Sequence, residues 1–255
     1  MEAVTISLDD IQTHVVQFGL DVLPVPEVGT QRTRLNMFYE AARDRFPQLY
    51  DQISAGDAEF KIFKTFRKPG AHAGPSATSE TFVLTNRGPV FVFPLRMPDP
   101  INETGLQPEH VELFREVLAL FREGLPGTTL LHLGVVRELI FSTGASPPMS
   151  LITRKATFAG ADLAGADCRL LFQDARMNHR IGLNSIQIMK GIQHPVGATF
   201  EQRLGFGLRV VLDVNNKEIK PMAQPDIDEV IDRAVALWPA QLLEYLTSSA
   251  GSSPC

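Results

Sequence analysis

Thr81-Phe82-Val83-Leu84-Thr85 and Val90-Phe91-Val92-Phe93 flank Asn86-Arg87-Gly88-Pro89. Two β-rich runs about an asparagine and glycine turn predict a hairpin, because such turns follow the natural twist of paired strands. An antiparallel sheet is therefore the frame to which the neighbouring segments attach. Just upstream, Phe60-Lys61-Ile62-Phe63-Lys64-Thr65-Phe66 has the same β-rich composition. Downstream, Pro94 marks a strand end or an edge. Pro108 then sits where the first turn of a helix tolerates proline. Val111, Phe114, Leu118, Phe121 and Leu125 recur at three- and four-residue spacing and give that helix one apolar stripe.

The same spacing in Leu35, Phe38, Ala42, Phe46, Leu49 and Ile53 predicts an earlier helix, kinked or restarted at Pro47. Residues 12–18 read as a short strand before it. The second half repeats this order. Leu130 to Phe141 reads as a strand, and a short helix follows from about Met149 to Phe158. Arg169 to Phe172 and Ile181 to Ile188 flank Met177-Asn178-His179 as a second hairpin. A loop spans 191–203. Gly205-Phe206-Gly207 reads as a bend or bulge before a last strand, Leu208 to Val214. Pro225 opens a final helix with Ile227, Val230, Ile231, Ala234 and Leu237 inward, kinked at Pro239.

Gln107-Pro108-Glu109 and Gln224-Pro225-Asp226 lie 117 residues apart (224 − 107). The same offset brings Leu120 onto Leu237, Leu125 onto Leu242, and the strand from Phe91 to Leu95 onto Leu208 to Leu212. Self-similarity at long period decides the fold when it is real, although two amphipathic helices always share some residues. The expected class is α+β, a mainly antiparallel sheet with helices packed on one face. It would comprise two similar β-α-β-β-β-α halves, residues 1–126 and 127–247, and a disordered tail over 248–255. That arrangement looks like the saddle of TATA-binding-protein-type folds, or like a helix-grip fold.

Leu131-His132-Leu133-Gly134-Val135-Val136-Arg137-Glu138, with Val211-Leu212-Asp213-Val214 and the terminal Leu243-Glu244-Tyr245-Leu246-Thr247, resembles a sporadically distributed family of uncharacterised bacterial proteins of about this length. The resemblance covers the last half of the chain. It implies a central strand at Leu131 to Glu138 and no particular activity.

Composition narrows the function classes. Hydrophobic residues make up 44% and charged residues 21%, which suits a chain that buries a large core. A net charge of −5 argues against a protein living mainly on nucleic-acid phosphates. The first ten residues carry acids where a signal peptide carries bases, and no run approaches ~20 apolar residues. Cys168 and Cys255 are too few for a disulfide framework, so no disulfide, a reducing compartment and a cytoplasmic location are expected. The six histidines are scattered at no metal-ligand spacing, and no metal or cofactor is expected. Neither a phosphate-binding Gly-x-x-x-x-Gly-Lys loop nor a Gly-x-Ser-x-Gly elbow occurs.

Two groups of polar residues remain as site candidates. Lys61, Lys64, Arg67 and Lys68 are interleaved with phenylalanines and could meet an anionic partner. The plainer reading is a core strand with solvated lysines. Asp213, Asn215 and Asn216 could line a polar pocket or hold a hard cation, which the neighbouring Lys217 would oppose, or simply form a turn. The function expected is non-catalytic binding of another protein through a sheet surface, a sheet edge or long loops. The alternative is an enzyme or small-ligand binder with a pocket between sheet and helices, and a third reading is nucleic-acid binding through the basic strand. If Arg67 and Lys68 steer an acidic partner, reversing both charges weakens partner binding and leaves the melting temperature nearly unchanged. Unaltered binding would remove this segment from the interface.

Overall fold

The computed structural model describes residues 6–7, 10–66, 77–85, 88–95, 108–144, 148, 157–158, 161–162, 167–193, 200–237 and 240–247. In chain order these form β1 (Ile11–Leu23), α1 (Arg32–Arg45), β2 (Gln52–Ala55), β3 (Phe60–Phe66), β4 (Ala77–Thr85), β5 (Gly88–Leu95) and α2 (Pro108–Gly124). There follow β6 (Thr129–Gly144), β7 (Thr157–Phe158), β8 (Ala161–Asp162), β9 (Asp167–Gln173), β10 (Met177–Gln193), β11 (Phe200–Asn216), α3 (Gln224–Ala236) and α4 (Ala240–Thr247). Nine strands make one sheet in the order β2-β3-β4-β5-β1-β6-β11-β10-β9, while β7 and β8 pair separately. Every ladder of that sheet is antiparallel. The class is α+β, as expected.

Strand alternation decides which side chains meet the helices. Val16, Phe18 and Leu20 of β1, Leu133, Val135 and Leu139 of β6, and Leu208, Val210 and Leu212 of β11 are all buried on one face. α2 lies on that face: Phe114 stacks on Phe18 with ring centroids 4.1 Å apart and meets Phe91 edge-on at 5.3 Å. α1 joins it through Phe38, which contacts Phe82 of β4 and Phe121 of α2. The Arg115 guanidinium of α2 donates to Asp228 of α3, and Tyr245 of α4 packs edge-on against Phe172 of β9. All four helices therefore cover the same side. The stripes read from Pro108 and Pro225 are buried, with Leu237 partly so. Arg137 is 1% exposed on this apolar side of β6, and burial pulls its guanidinium down to about 10.

Several elements depart from expectation. The first strand runs on to Leu23, and its length is set by its pairing with β6 along Ile11 to Leu23. The helix before Pro47 stops at Arg45, and Ile53 belongs instead to β2, which pairs with β3. The second hairpin turns at Asp174-Ala175-Arg176, with Met177, Asn178 and His179 already in β10. One Asp174 carboxylate oxygen accepts the backbone N–H groups of Arg176 and Met177, each at 2.8 Å, and closes the turn. Those bonds, with one to the His179 ring, hold the Asp174 carboxyl well below the usual range. β10 and β11 pair from Met177 and Asn216 to Gln193 and Phe200, so strand occupies most of the expected loop at 191–203. Thr157 and Phe158 are strand, and the rest of the expected helix from Met149 lies outside the described residues. The bulge expected near Gly205-Phe206-Gly207 is present as a register shift at Phe206/Gly207. Cys168 is disulfide-bonded, which overturns the expectation of no disulfide and removes that argument for a reducing compartment. Cys255 and the tail over 248–255 lie outside the described residues.

The strand order is symmetric about the β1–β6 pair: each half places its first strand innermost and its last strand beside it. The offset of 117 does not hold throughout. Phe18 pairs with Val135, 117 residues on (135 − 18). Phe18 also pairs with Phe91, and Val135 with Val214, 123 residues beyond Phe91 (214 − 91). The match of Phe91 with Leu208 is thus out of register by six (123 − 117).

Phe114 touches both strands under α2 and is fully buried. Phe114→Ala is expected to cost about 3–5 kcal/mol of unfolding free energy, measurable by chemical denaturation. A loss near zero would contradict this packing.

Candidate functional site

The sheet face turned away from the helices is where polar side chains gather. Alternation places Val15, Gln17, Gly19 and Asp21 of β1 there, with His132, Gly134, Val136 and Glu138 of β6 and Arg209, Val211, Asp213 and Asn215 of β11. β10 adds Asn178, Arg180, Gly182 and Asn184, and β9 adds Arg169, Leu171 and Gln173. Register then sets the neighbours. Gly19 stands opposite Gly134, Gly134 opposite Asn215, Asn215 opposite Asn178, and Asn178 opposite Gln173.

The amides of that row are hydrogen-bonded in series. Gln173 Nε2 donates to Asn178 Oδ1 at 2.8 Å, and Asn178 Nδ2 donates to Asn215 Oδ1 at 3.0 Å. Asn215 Nδ2 then donates to Asp213 Oδ1 at 2.9 Å. Asn178 and Asn215 are buried, so the series satisfies groups that burial would otherwise penalise. Arg180 stands 3.8 Å from the other Asp213 oxygen. Farther along the same face Arg209 grips both carboxylate oxygens of Glu138, at 2.8 and 3.0 Å. That hydrogen bonding, with the charge behind it, outweighs partial burial and holds the Glu138 carboxyl below its ordinary value.

Two shallow hollows open on this face. One of about 440 Å³ lies over Gly182 and is lined by Arg169, Arg180, Arg209, Asn184 and Val211 among others. Another of about 290 Å³ lies over Gly19 and Gly134 and includes Asp21, His132 and Asn215. Arg180 and Asp213 line both and stand between them.

The candidates read from the sequence divide between structure and site. Asp213 and Asn215 are on strand β11, not in a turn, and face the hollows. Asn216 joins strands instead: its Oδ1 accepts the Leu133 N–H at 2.8 Å, and its Nδ2 donates to Glu218 O at 2.6 Å. Lys61 pairs with Glu59 at 2.8 Å, and Lys64 Nζ donates to the Pro47 carbonyl and stands 4.0 Å from Asp51. Arg67 and Lys68 lie outside the described residues. Arg169, Arg180, Arg209, Glu138 and Gly182 were not singled out in the sequence. Alternation at 180, 182, 184 and at 209, 211, 213 was their available signal, but it gains meaning only once register joins three strands.

Among the described residues no group of three or more His, Cys, Asp or Glu could hold a metal ion. No helix among them is long and apolar enough to cross a membrane. Compared with known proteins, the chain matches no family model, no curated protein and no solved structure.

The Glu138–Arg209 pair gives a pH signature. The folded carboxyl titrates below its ordinary 4.5, so its stabilisation is complete above that value and is lost as pH falls through the lowered one. Denaturation midpoints measured from about pH 7 to about pH 3 should fall more steeply for the wild type than for Glu138→Gln. Parallel curves would show that the pair does not couple to folding.

Proposed function

We propose that the protein is a non-catalytic binding protein that docks another protein on the helix-free face of its sheet. One observation carries the reading: every described helix packs on one side, and the other side is left open, with half-exposed valines and glycines set among polar side chains. Val15, Val90, Val92, Val136 and Val211 lie on it, around the glycine pair at Gly19 and Gly134. Half-exposed valines interleaved with polar and charged groups suit a non-obligate protein-docking surface, which as a whole is about as apolar as the rest of a protein's exterior. At one end of the face stands Arg180, whose side chain is 59% exposed, which suits a partner with acidic side chains. Nucleic-acid binding through the basic strand gains no support, because Lys61 and Lys64 are engaged by neighbouring acids and a carbonyl. We also read the two halves as copies of one motif, supported by the symmetric strand order and by the helix starts at Pro108 and Pro225.

The test is selective loss. Immobilised protein is expected to retain a defined partner from a soluble extract of its native host, identified by mass spectrometry. Val136→Glu should lose that partner, and Arg122→Glu, on the exposed side of α2, should keep it. Both variants should melt within a few degrees of the wild type, as surface changes usually do. Equal retention by Val136→Glu would refute docking on this face.

A further inference from the structure

We propose that the hollow over Gly182 is a binding site for the carboxylate or phosphate group of a small organic anion. The site shares its face with the docking surface proposed above and does not depend on it.

Three adjacent strands build it. Arg169 of β9 and Val211 of β11 stand directly opposite Gly182 from its two sides. Arg180 and Asn184 flank Gly182 on its own strand face, and Arg209 stands opposite Asn184. The space of about 440 Å³ falls within the range of about 300–1,000 Å³ typical of small-ligand sites.

The glycine is the first indication. A Cβ at 182 would meet only the Val211 Cβ at 3.7 Å and the Val211 carbonyl oxygen at 3.9 Å, which is ordinary packing. The fold therefore has no steric need of glycine here. Glycine in a strand interior costs stability and marks positions where another group approaches the backbone closely. A bare floor beneath arginines is what such a group would meet.

The electrostatics agree. Arg209 is fixed in place by Glu138, whose charge offsets its own, and so forms a rigid polar wall rather than the counter-charge of the anion. Arg180 is a different case. At 3.8 Å from Asp213 it is beyond hydrogen-bond reach, and its side chain is 59% exposed. Its guanidinium keeps donors for a ligand. The planar guanidinium fork matches two oxygens of a carboxylate or phosphate, which makes arginine suited to such groups. Asn184 offers an amide donor on the other side of Gly182, and Val211 and Leu171 offer an apolar surface for the rest of the molecule.

Isothermal titration of the purified full chain at low salt, with inorganic phosphate, ribose 5-phosphate and succinate, tests the proposal. Saturable one-to-one binding is expected for the phosphates or for succinate, and the arm that binds identifies the group. Added sodium chloride should weaken it. Arg180→Ala should weaken it about tenfold or more, the loss of a charge-assisted bond. Gly182→Val should abolish it by filling the floor, and Arg122→Ala, which removes a cation on the exposed side of α2, should leave it unchanged. If Gly182→Val lowers the melting temperature, Arg180→Ala decides alone. No saturable binding of any probe, or binding indifferent to Arg180→Ala, overturns the proposal. These measurements use no protein partner, so their failure leaves the docking reading standing, and failure of partner capture leaves this site standing.

Discussion

The ladder between β1 and β6 is the joint on which the structure depends. Five strands lie on the β1 side of it and four on the β6 side, and the sheet is continuous only through this pairing. The two strands come from opposite halves of the chain and run together from Ile11 and Phe141 to Leu23 and Thr129. Side chains alternate with period two, so a slip of one residue would turn Val16, Phe18 and Leu20 away from the helices and into water. Burial thus fixes the register, and the register in turn places Gly19 against Gly134 on the far face. The polar face inherits its geometry from the apolar one.

Aromatic packing makes the helix side demanding. Phe18, Phe38, Phe82, Phe91, Phe114 and Phe121 form one connected set of ring contacts through two helices and three strands. Such rings bury large areas and constrain one another's orientation. The second half has no comparable set among its described residues and relies on aliphatic side chains such as Leu183, Val210, Val230 and Ile231. One close approach ties the first hairpin to the centre. Gly88 has φ of 126°, and a Cβ there would lie 2.1 Å from the Leu20 carbonyl oxygen, so glycine alone fits.

Helices and hairpins were legible in the sequence because their signals are local. The stripe from Val111 to Leu125 and the turn before Gly88 need only their own segments. Strand ends were less legible, since pairing rather than composition stops a strand: β10 and β11 hold one another in strand well past Ile188 and Leu208. β2 is hidden in the sequence because Ile53 falls at helical spacing from the stripe before it, although α1 ends at Arg45, ahead of Pro47. Asp213 and Asn215 fit a turn as well as a polar pocket in the sequence, because polar residues in a buried row look like loop until the facing strand is known. The arginines were unreadable for a stronger reason. Arg169, Arg180 and Arg209 lie on three different strands and gather round one hollow only through two ladders.

The position of β1 also has a consequence for synthesis. Its β6 partner begins 106 residues after β1 ends (129 − 23), so β1 leaves the ribosome long before that edge can be satisfied. At about 5–20 residues per second, the wait is roughly 5–20 s. Throughout it, a thirteen-residue strand has at most β5 on one side, and offers its other row of N–H and C=O groups to any extended chain nearby. A nascent molecule can be sealed by its own β6 or by the β6 of a neighbour on the same message. Polysomes crowd such neighbours together, so the yield of monomer would depend on translation speed and on ribosome spacing.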